Sequence, residues 1–97
     1  MLVPRVHVDT LFDLPDPLRD PYFQAVQRLA GAMETGLGAQ GSFVAINNRV
    51  SQSVPHLHTH VIPRTRGDGL RGFLWPRHKY ADDAEAADYV KRVRSAL

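Results

Sequence analysis

The chain has 97 residues, no cysteine and a formal net charge of only +2. This composition excludes a disulfide framework and a thiolate zinc site, and it gives no reason to expect a nucleic-acid partner. No apolar run approaches the ~20 residues that cross a bilayer, and the start MLVPRVHVDT is unlike a secretory signal, so we expect a cytoplasmic protein without a membrane partner. The length predicts a single domain, residues 1–97, with a modest hydrophobic core.

The amino-terminal residues are predicted to form a strand and a short turn. Residues 2–8 favour a strand, which Pro4 confines to an edge or to one end because proline has no backbone N–H. Asp9 and Thr10 follow, and side chains of these types cap helical turns, here the short turn TLFDL. A proline-rich connection then leads to the first long helical pattern.

The longest predicted element is a helix over residues 21–35. Asp16 and Asp20 are each followed by a proline, so each pair offers a cap with proline at the first helical position, and we place the start at the second pair. Gly36 and Gly38 are expected to end the helix. Apolar side chains recur along it at helical spacing, namely Tyr22, Val26, Leu29, Ala30, Met33 and Leu37. This stripe predicts packing, in the core or at a dimer interface, and not a cofactor surface.

The second half of the chain is predicted to contain two paired strands and a helix. Residues 42–47 favour a strand, and the polar turn NNRVSQS returns the chain as an antiparallel neighbour that carries three histidines. Asp82 or Asp83 is suited to cap a final helix. Four apolar residues of this helix share one face, Ala86, Val90, Val93 and Leu97. No internal repeat or low-complexity tract interrupts the chain.

Between the histidine strand and the final helix lies the segment RTRGDGLRGF, whose three glycines and three arginines predict a mobile surface loop. Its cations are expected to be solvated. Binding of a distal phosphate is the alternative for the basic residues here and just beyond, Arg64, Arg66, Arg71, Arg77, His78 and Lys79. Trp75 is expected to pack on the sheet rather than to cover a site.

The most informative feature of the sequence is the recurrence of His56, His58 and His60 at a spacing of two. Successive side chains of a strand point to opposite faces, so the three imidazoles should share one face. The intervening residues, Leu57, Thr59 and Val61, should then project from the other face. Three titratable rings on one face predict a functional site rather than a core. The alternatives are ordinary surface histidines and a metal site.

The segment QSVPHLHTHVIPR, residues 52–64, resembles the signature of the histidine triad superfamily of nucleotide hydrolases and transferases. The start of the chain is similar as well, since it has the family's hydrophobic-Pro-basic-x-His pattern, in which His7 is the matching histidine. The resemblance implies an α+β fold, with an antiparallel sheet, a long helix packed on it and a C-terminal helix. It also implies a homodimer. Family members usually carry further amino-terminal residues that hold the ribose, so we expect an N-terminally shortened domain.

The resemblance also implies a role for each matching residue. His58 corresponds to the nucleophile that attacks the α-phosphorus of a nucleotide conjugate and forms a nucleotidyl-histidine intermediate. His56 and His60 would stabilise the phosphate oxygens and help to protonate the leaving group. Substrate-binding roles fall to Asn47, Gln52, Ser53 and His7, with Asn48 as a near alternative to Asn47. This scheme requires no cofactor and no metal.

Two other functions stay open from the sequence alone. One is a catalytically weak nucleotide-binding or regulatory module that keeps the triad without efficient turnover. The other is a metal-binding protein, since alternate histidines on a strand can ligate zinc. For Asn47 and Ser53 the alternative is an ordinary turn residue that satisfies local backbone groups. For His7 it is a polar residue at a strand end.

Overall fold

The computed structural model describes residues 1–71 and 78–97. Within these residues the chain forms a short 3₁₀ helix and then, in order, α1, β1, β2 and α2. Their bounds are Leu11–Asp13 for the 3₁₀ helix, Asp16–Leu37 for α1, Gly41–Ile46 for β1, Thr59–Arg64 for β2 and Asp83–Ala96 for α2. The two strands pair antiparallel, α1 packs against both of them, and α2 packs against α1. The α+β architecture predicted from the sequence is therefore confirmed.

Helix α1 begins at Asp16, five residues before the predicted start. The chain uses the first of its two Asp-Pro pairs, and Pro21 of the second pair lies inside the helix, where it cannot donate to the carbonyl one turn earlier. The helix ends at Gly38, which adopts the left-handed conformation at φ 69°, as predicted. Gly36 lies within the last turn, so its predicted role in ending the helix was wrong.

Helix α2 is anchored at both ends. The side chain of Asp82 accepts a hydrogen bond from the backbone N–H of Glu85 at 2.8 Å, which identifies the cap. Towards the other end, Arg92 donates from its guanidinium to the carbonyls of Gly36 at 3.2 Å and Leu37 at 3.3 Å. These carbonyls belong to the last turn of α1 and have no partner within that helix. Arg92 therefore joins the two helices.

The predicted strand over residues 2–8, hereafter the N-terminal segment, is not a regular strand. Leu2 forms an isolated antiparallel bridge with Thr59, and their backbone groups exchange hydrogen bonds of 2.9 and 2.8 Å. Further along, the carbonyl of Val8 accepts from Leu57 N–H at 2.7 Å. Pro4 lies between these contacts and has no N–H to continue a ladder. The segment thus contacts the histidine region at separate points.

The core lies between α1 on one side and the sheet with the N-terminal segment on the other. Its buried hydrophobic residues are Val8, Leu14, Tyr22, Val26, Leu57 and Val61. Most of the predicted apolar stripe of α1 faces this core, because Val26 is buried and Leu29, Ala30 and Met33 pack against the cluster. The predicted packing of this stripe is therefore confirmed, and within this chain the packing is in the core.

Two predictions from the sequence, the packing of Trp75 and phosphate binding by Arg77, lie outside the described residues. In the part of the chain that is described, no helix combines the length and the apolar composition needed to cross a membrane.

Candidate active site

The histidine region is only partly a strand. Strand β2 begins at Thr59, so the prediction that all three histidines belong to a strand was wrong, and only His60 does. Pro55 cannot donate a ladder hydrogen bond, and Leu57 pairs with the N-terminal segment rather than with β1. The extended chain nevertheless keeps its alternation, because Leu57, Thr59 and Val61 are buried at 1%, 0% and 5% exposure.

The three imidazoles lie on the opposite side of this segment and line one cavity of about 270 Å³. Ser53 lines the same cavity, as expected if it binds substrate. The remaining lining residues are apolar, namely Met1, Val3 and Val54. The spacing of two therefore brings the histidines together as predicted. The apolar wall was not predicted, because no local pattern indicates that the N-terminal segment closes this side of the cavity.

His58 has a defined tautomer. Its Nδ1 lies 2.7 Å from the backbone carbonyl of His56. A carbonyl oxygen only accepts, so Nδ1 must carry the proton, and in the neutral ring Nε2 then bears the lone pair. The side chain is also well enclosed, since the residue is 7% exposed. The bond therefore fixes the orientation of the ring and the tautomer of its neutral form.

His56 is held by the N-terminal segment. Its Nε2 lies 3.0 Å from the carbonyl of Pro4 and must be the donor in that bond. Its Nδ1 is buried and has no hydrogen-bond partner among the described residues. The ring also stacks on His7, with centroids 5.1 Å apart, and Nε2 of His7 lies 2.8 Å from a carboxylate oxygen of Asp9. His7 is therefore in contact with the triad, and Asp9, which the sequence indicated only as a possible cap, is its partner.

His60 meets His58 edge to face, with ring centroids 5.2 Å apart and planes at 79°. Burial lowers the pKa of His60 below its ordinary value of 6.5, and the neighbouring His58 lowers it further. His60 is consequently neutral at pH 7. It is suited to act as a hydrogen-bond donor there, rather than as the imidazolium that was the other form considered from the sequence.

Gln52 is engaged in the structure of its own loop. Its side-chain amide donates to the carbonyl of Asp9 at 2.5 Å, while its side-chain oxygen accepts from the backbone N–H of Arg49 at 2.8 Å. Arg49 and Ser51 both adopt the left-handed conformation, at φ 68° and 61°, which is unfavourable for residues other than glycine. The two bonds of Gln52 help to hold this strained turn against the N-terminal segment. Gln52 is not among the residues that line the cavity.

The two neighbouring asparagines differ in their contacts. The side-chain oxygen of Asn48 accepts from the backbone N–H of Leu11 at 2.8 Å, across a part-buried contact. The side-chain amide of Asn47 reaches only the carbonyl of Ser51, at 3.4 Å. Neither residue lines the cavity. Asn48 has a structural role, whereas the side chain of Asn47 makes only this long bond among residues 1–71 and 78–97.

Arg64 at the end of β2 is paired within the protein. Its guanidinium makes two hydrogen bonds to the carboxylate of Asp68, at 2.6 and 3.1 Å. The same carboxylate accepts from the backbone N–H groups of Thr65 and Leu70, both at 3.1 Å. These bonds, that of Arg64 foremost, hold the pKa of Asp68 well below its usual value. The positive charge of Arg64 is therefore already balanced, contrary to a role as a phosphate ligand.

Metal binding can be assessed from the arrangement of ligand side chains. Among residues 1–71 and 78–97, no group of three or more His, Asp or Glu side chains is arranged to hold a metal ion.

Known proteins resemble this chain in sequence. Residues 1–67 match the family model described as HIT domain. "Protein hit" of Bacillus subtilis (strain 168) is 35% identical over 100 residues, which cover 100% of this chain and 66% of that protein. "Bis(5'-adenosyl)-triphosphatase" of Saccharomyces cerevisiae (strain YJM789) is 33% identical over 85 residues, covering 84% of this chain and 41% of the yeast enzyme. The chain thus spans between two fifths and two thirds of the length of these relatives.

Solved structures resemble it as well. A Hit-like protein involved in cell-cycle regulation from Bartonella henselae superimposes with a TM-score of 0.82 at 28% identity, over 98% of this chain and 68% of that one. A zinc-bound histidine triad family protein from Mycobacterium smegmatis gives a TM-score of 0.72, also at 28% identity, over 96% of this chain and 66% of that one. The sequence match, the fold and the three convergent histidines agree, and the chain belongs to the HIT domain family.

Proposed function

We propose that this protein is a hydrolase or nucleotidyl transferase that acts at the α-phosphate of a nucleotide conjugate, with His58 as the nucleophile. The observation that carries the proposal is the bond from His58 Nδ1 to the carbonyl of His56, because in the neutral ring it places the lone pair on Nε2, and this ring lines the cavity. The HIT family includes enzymes named for hydrolysis of dinucleoside phosphates, such as the yeast relative. Suitable substrates are dinucleoside polyphosphates and nucleoside phosphoramidates.

The reaction proceeds by two displacements. Nε2 of His58 attacks the α-phosphorus, the bond from phosphorus to the leaving group breaks, and a nucleotidyl-imidazole forms. A neutral imidazole approaches the negative phosphate oxygens without charge repulsion. The positive charge that develops on the ring is stabilised through Nδ1–H by the carbonyl of His56. Water or another acceptor then attacks the phosphorus, and the bond to Nε2 breaks to restore the free histidine.

The other two histidines of the triad stabilise the negative charge of the phosphate oxygens and assist the leaving group. His56 acts on the leaving group through Nδ1, since that buried atom has no competing partner within the described residues. His60 stabilises the phosphate oxygens as a neutral donor, in agreement with its lowered pKa. Ser53 lines the same cavity, and its hydroxyl donates a hydrogen bond to the phosphate. His7 supports this arrangement through its stacking contact with His56.

Asn47 and Gln52 are both proposed to bind substrate, but their contacts within the protein differ. Asn47 makes one hydrogen bond, of 3.4 Å, so a phosphate or ribose oxygen would replace it at little cost. Gln52 uses both ends of its side-chain amide within the protein, and contact with substrate would require it to release Asp9 or Arg49. We therefore expect Asn47 to contribute more directly to substrate binding than Gln52.

Two further properties belong to this proposal, a cytoplasmic location and a homodimer. Most of the apolar stripe of α1 is used in the chain's own core, so a two-fold interface would have to use other surface as well. Sedimentation velocity over a range of concentrations would test association. A protein that sediments as a folded monomer at every concentration would contradict the homodimer.

The function is tested by combining turnover with chemical trapping. Bis(5'-adenosyl) triphosphate and adenosine phosphoramidate would be incubated with the protein and followed by ³¹P NMR, and a labelled substrate would be acid-quenched to capture a phosphorus-linked histidine. We expect His58→Ala to lose both turnover and adduct, with a fall in kcat of at least about 10³-fold. The matched control is His78→Ala, since His78 is exposed and does not line the cavity.

Three results would contradict parts of the proposal. Unchanged turnover in His58→Ala would contradict the assignment of His58 as the nucleophile. Turnover without any adduct would contradict the covalent intermediate. Saturable nucleotide binding with no consumption of any conjugate would instead favour a binding or regulatory module. Zinc is a second candidate ligand only because the mycobacterial relative is zinc-bound. Stoichiometric zinc that is lost in His58→Ala would favour that alternative, against the ligand arrangement of the described residues.

A further inference from the structure

Two hydroxyl groups meet in the core directly beneath the histidines. The phenolic oxygen of Tyr22, on α1, lies 2.6 Å from Oγ1 of Thr59 and 3.3 Å from the backbone carbonyl of Leu2. Thr59 is 0% exposed and Tyr22 is 7% exposed. Thr59 lies between His58 and His60 in the chain. One buried polar contact therefore joins the long helix, the N-terminal segment and the residue between two members of the triad.

The donors and acceptors of this contact can be assigned. The carbonyl of Leu2 can only accept, so the hydroxyl of Tyr22 donates a hydrogen bond to it. The hydroxyl of Thr59 then donates a hydrogen bond to the oxygen of Tyr22. The same carbonyl also accepts from the backbone N–H of Thr59 at 2.8 Å. Both the side chain and the backbone of Thr59 are thereby held. Burial raises the pKa of Tyr22, so its hydroxyl keeps its proton at neutral pH.

Apolar packing alone does not account for these two hydroxyls. Phenylalanine would fill the position of Tyr22, and valine has nearly the shape of threonine, yet both residues carry a polar group into a site with no exposure or almost none. A buried hydroxyl is unfavourable unless it is paired, and a fully paired one specifies a unique local geometry. This pair of hydroxyls therefore fixes the position of Tyr22 and Thr59, which apolar side chains of the same shape would not do.

We propose that Tyr22 is a positioning residue, which acts through Thr59 to hold His58 and His60 at the orientation needed for attack and for phosphate binding. The inference rests on the proposed function for its catalytic consequence. Tyr22 itself does not line the cavity. Because Thr59 faces the core while its two neighbours face the cavity, rotation of Thr59 would turn both imidazoles away. Small displacements of reacting groups are costly in rate.

Three variants test the proposal in the intact protein. Tyr22→Phe and Thr59→Val each remove one hydroxyl and keep the packed volume, whereas Thr59→Ser keeps the hydroxyl. We expect the first two to lower kcat about tenfold with little change in KM, and Thr59→Ser to retain most of the rate. The double variant should be no slower than the single ones, because both remove the same contact. Tyr89→Phe is the control, since Tyr89 lies on α2 and is 37% exposed.

A second measurement does not depend on activity. Long-range ¹H–¹⁵N NMR spectra of the imidazoles report the tautomer of each ring. In the wild type we expect His58 in the Nδ1–H form, and in Tyr22→Phe or Thr59→Val we expect the signals of His58 and His60 to shift while those of His78 stay unchanged. If the wild type fails to turn over any conjugate, the proposed function fails, and these spectra still decide the positioning role.

The outcomes are distinct. Loss of kcat with shifted imidazole signals supports the proposal, and so do shifted signals alone. Unchanged rate together with unchanged spectra in both hydroxyl-deleting variants would overturn it. Equal loss in Thr59→Ser and Thr59→Val would also overturn it, since packing rather than the hydroxyl would then be responsible. If Tyr22→Phe does not fold, the comparison of the two Thr59 variants answers the question.

Discussion

The imidazoles of His7 and His56 lie face to face, with centroids 5.1 Å apart and planes only 11° from parallel. Asp9 pairs with the outer ring at 2.8 Å, and the carbonyl of Pro4 holds the inner ring at 3.0 Å. His56, the first histidine of the triad, is thus held in place by residues about fifty positions away in sequence. The orientation of the site depends on the N-terminal segment as much as on the strand that carries the histidines.

The first prediction concerns this stack. His7→Ala removes both the ring contact and the pair with Asp9, and we expect kcat to fall about tenfold because His56 loses its orientation. His7→Phe keeps a ring of similar size and should retain more of the rate. Steady-state kinetics on both variants, with His78→Ala as the control, measure this. A His7→Ala protein with wild-type kcat would mean that the exposed ring does not support the triad.

The second prediction separates the two asparagines. Asn48→Ala leaves the backbone N–H of Leu11 without its acceptor, so the free energy of unfolding should fall by about 1–3 kcal/mol. Asn47→Ala gives up only a 3.4 Å bond, so stability should hardly change while KM for a nucleotide conjugate rises. Urea unfolding and kinetics on both variants distinguish these effects. The reverse pattern would exchange the structural and the substrate-binding roles.

The third prediction uses two glycines of α1. A Cβ at Gly36 would lie 2.6 Å from the backbone oxygen of Arg92, so Gly36→Ala must push the helices apart, and we expect a loss of about 1–3 kcal/mol. A Cβ at Gly31 would meet nothing within 4 Å, and Gly31→Ala should stabilise the helix by about 0.5–1 kcal/mol. Urea unfolding measures both. A neutral Gly36→Ala would show that the contact between α1 and α2 is loose.

The fourth prediction concerns pH. The pKa of His60 is lowered on folding, so the unfolded chain takes up the proton more readily as the pH falls through 6.5. The stability associated with this neutral ring is present above 6.5 and is lost as the pH falls towards the lower pKa of the folded protein. Between about pH 7 and about pH 5, the wild type should therefore lose more unfolding free energy than His60→Gln. Parallel curves for the two proteins would contradict the lowered pKa.

Local patterns predicted the features that depend on spacing. The alternation of His56, His58 and His60 with buried residues survives although the regular strand starts only at Thr59, because an extended chain alternates with or without ladder bonds. The residue types that suit a helix end were recognised in the same way, as a cap at Asp82 or Asp83 and a glycine end at Gly36 and Gly38, and the structure uses Asp82 and Gly38. Signals confined to a few neighbouring residues were sufficient for these features.

Features decided by distant contacts were not predictable. Two Asp-Pro pairs offered equivalent helix starts, and local preference could not choose Asp16 over Asp20. The acceptor that fixes His58 is a backbone carbonyl, which every residue possesses and no sequence motif identifies. Gln52 bonds to the carbonyl of Asp9, 43 positions earlier, so its engagement within the protein could not be inferred from its place in the motif.

The bonds from Leu2 to Thr59 and from Val8 to Leu57 make the beginning of the chain part of the histidine site. The N-terminal segment meets the histidine region at separate points and not through a continuous ladder, and such weakly paired segments open at free energies below that of complete unfolding. Activity should accordingly be lost at a lower temperature than helix structure. A melting curve that follows the helical circular dichroism signal would then overestimate the temperature up to which the protein is active.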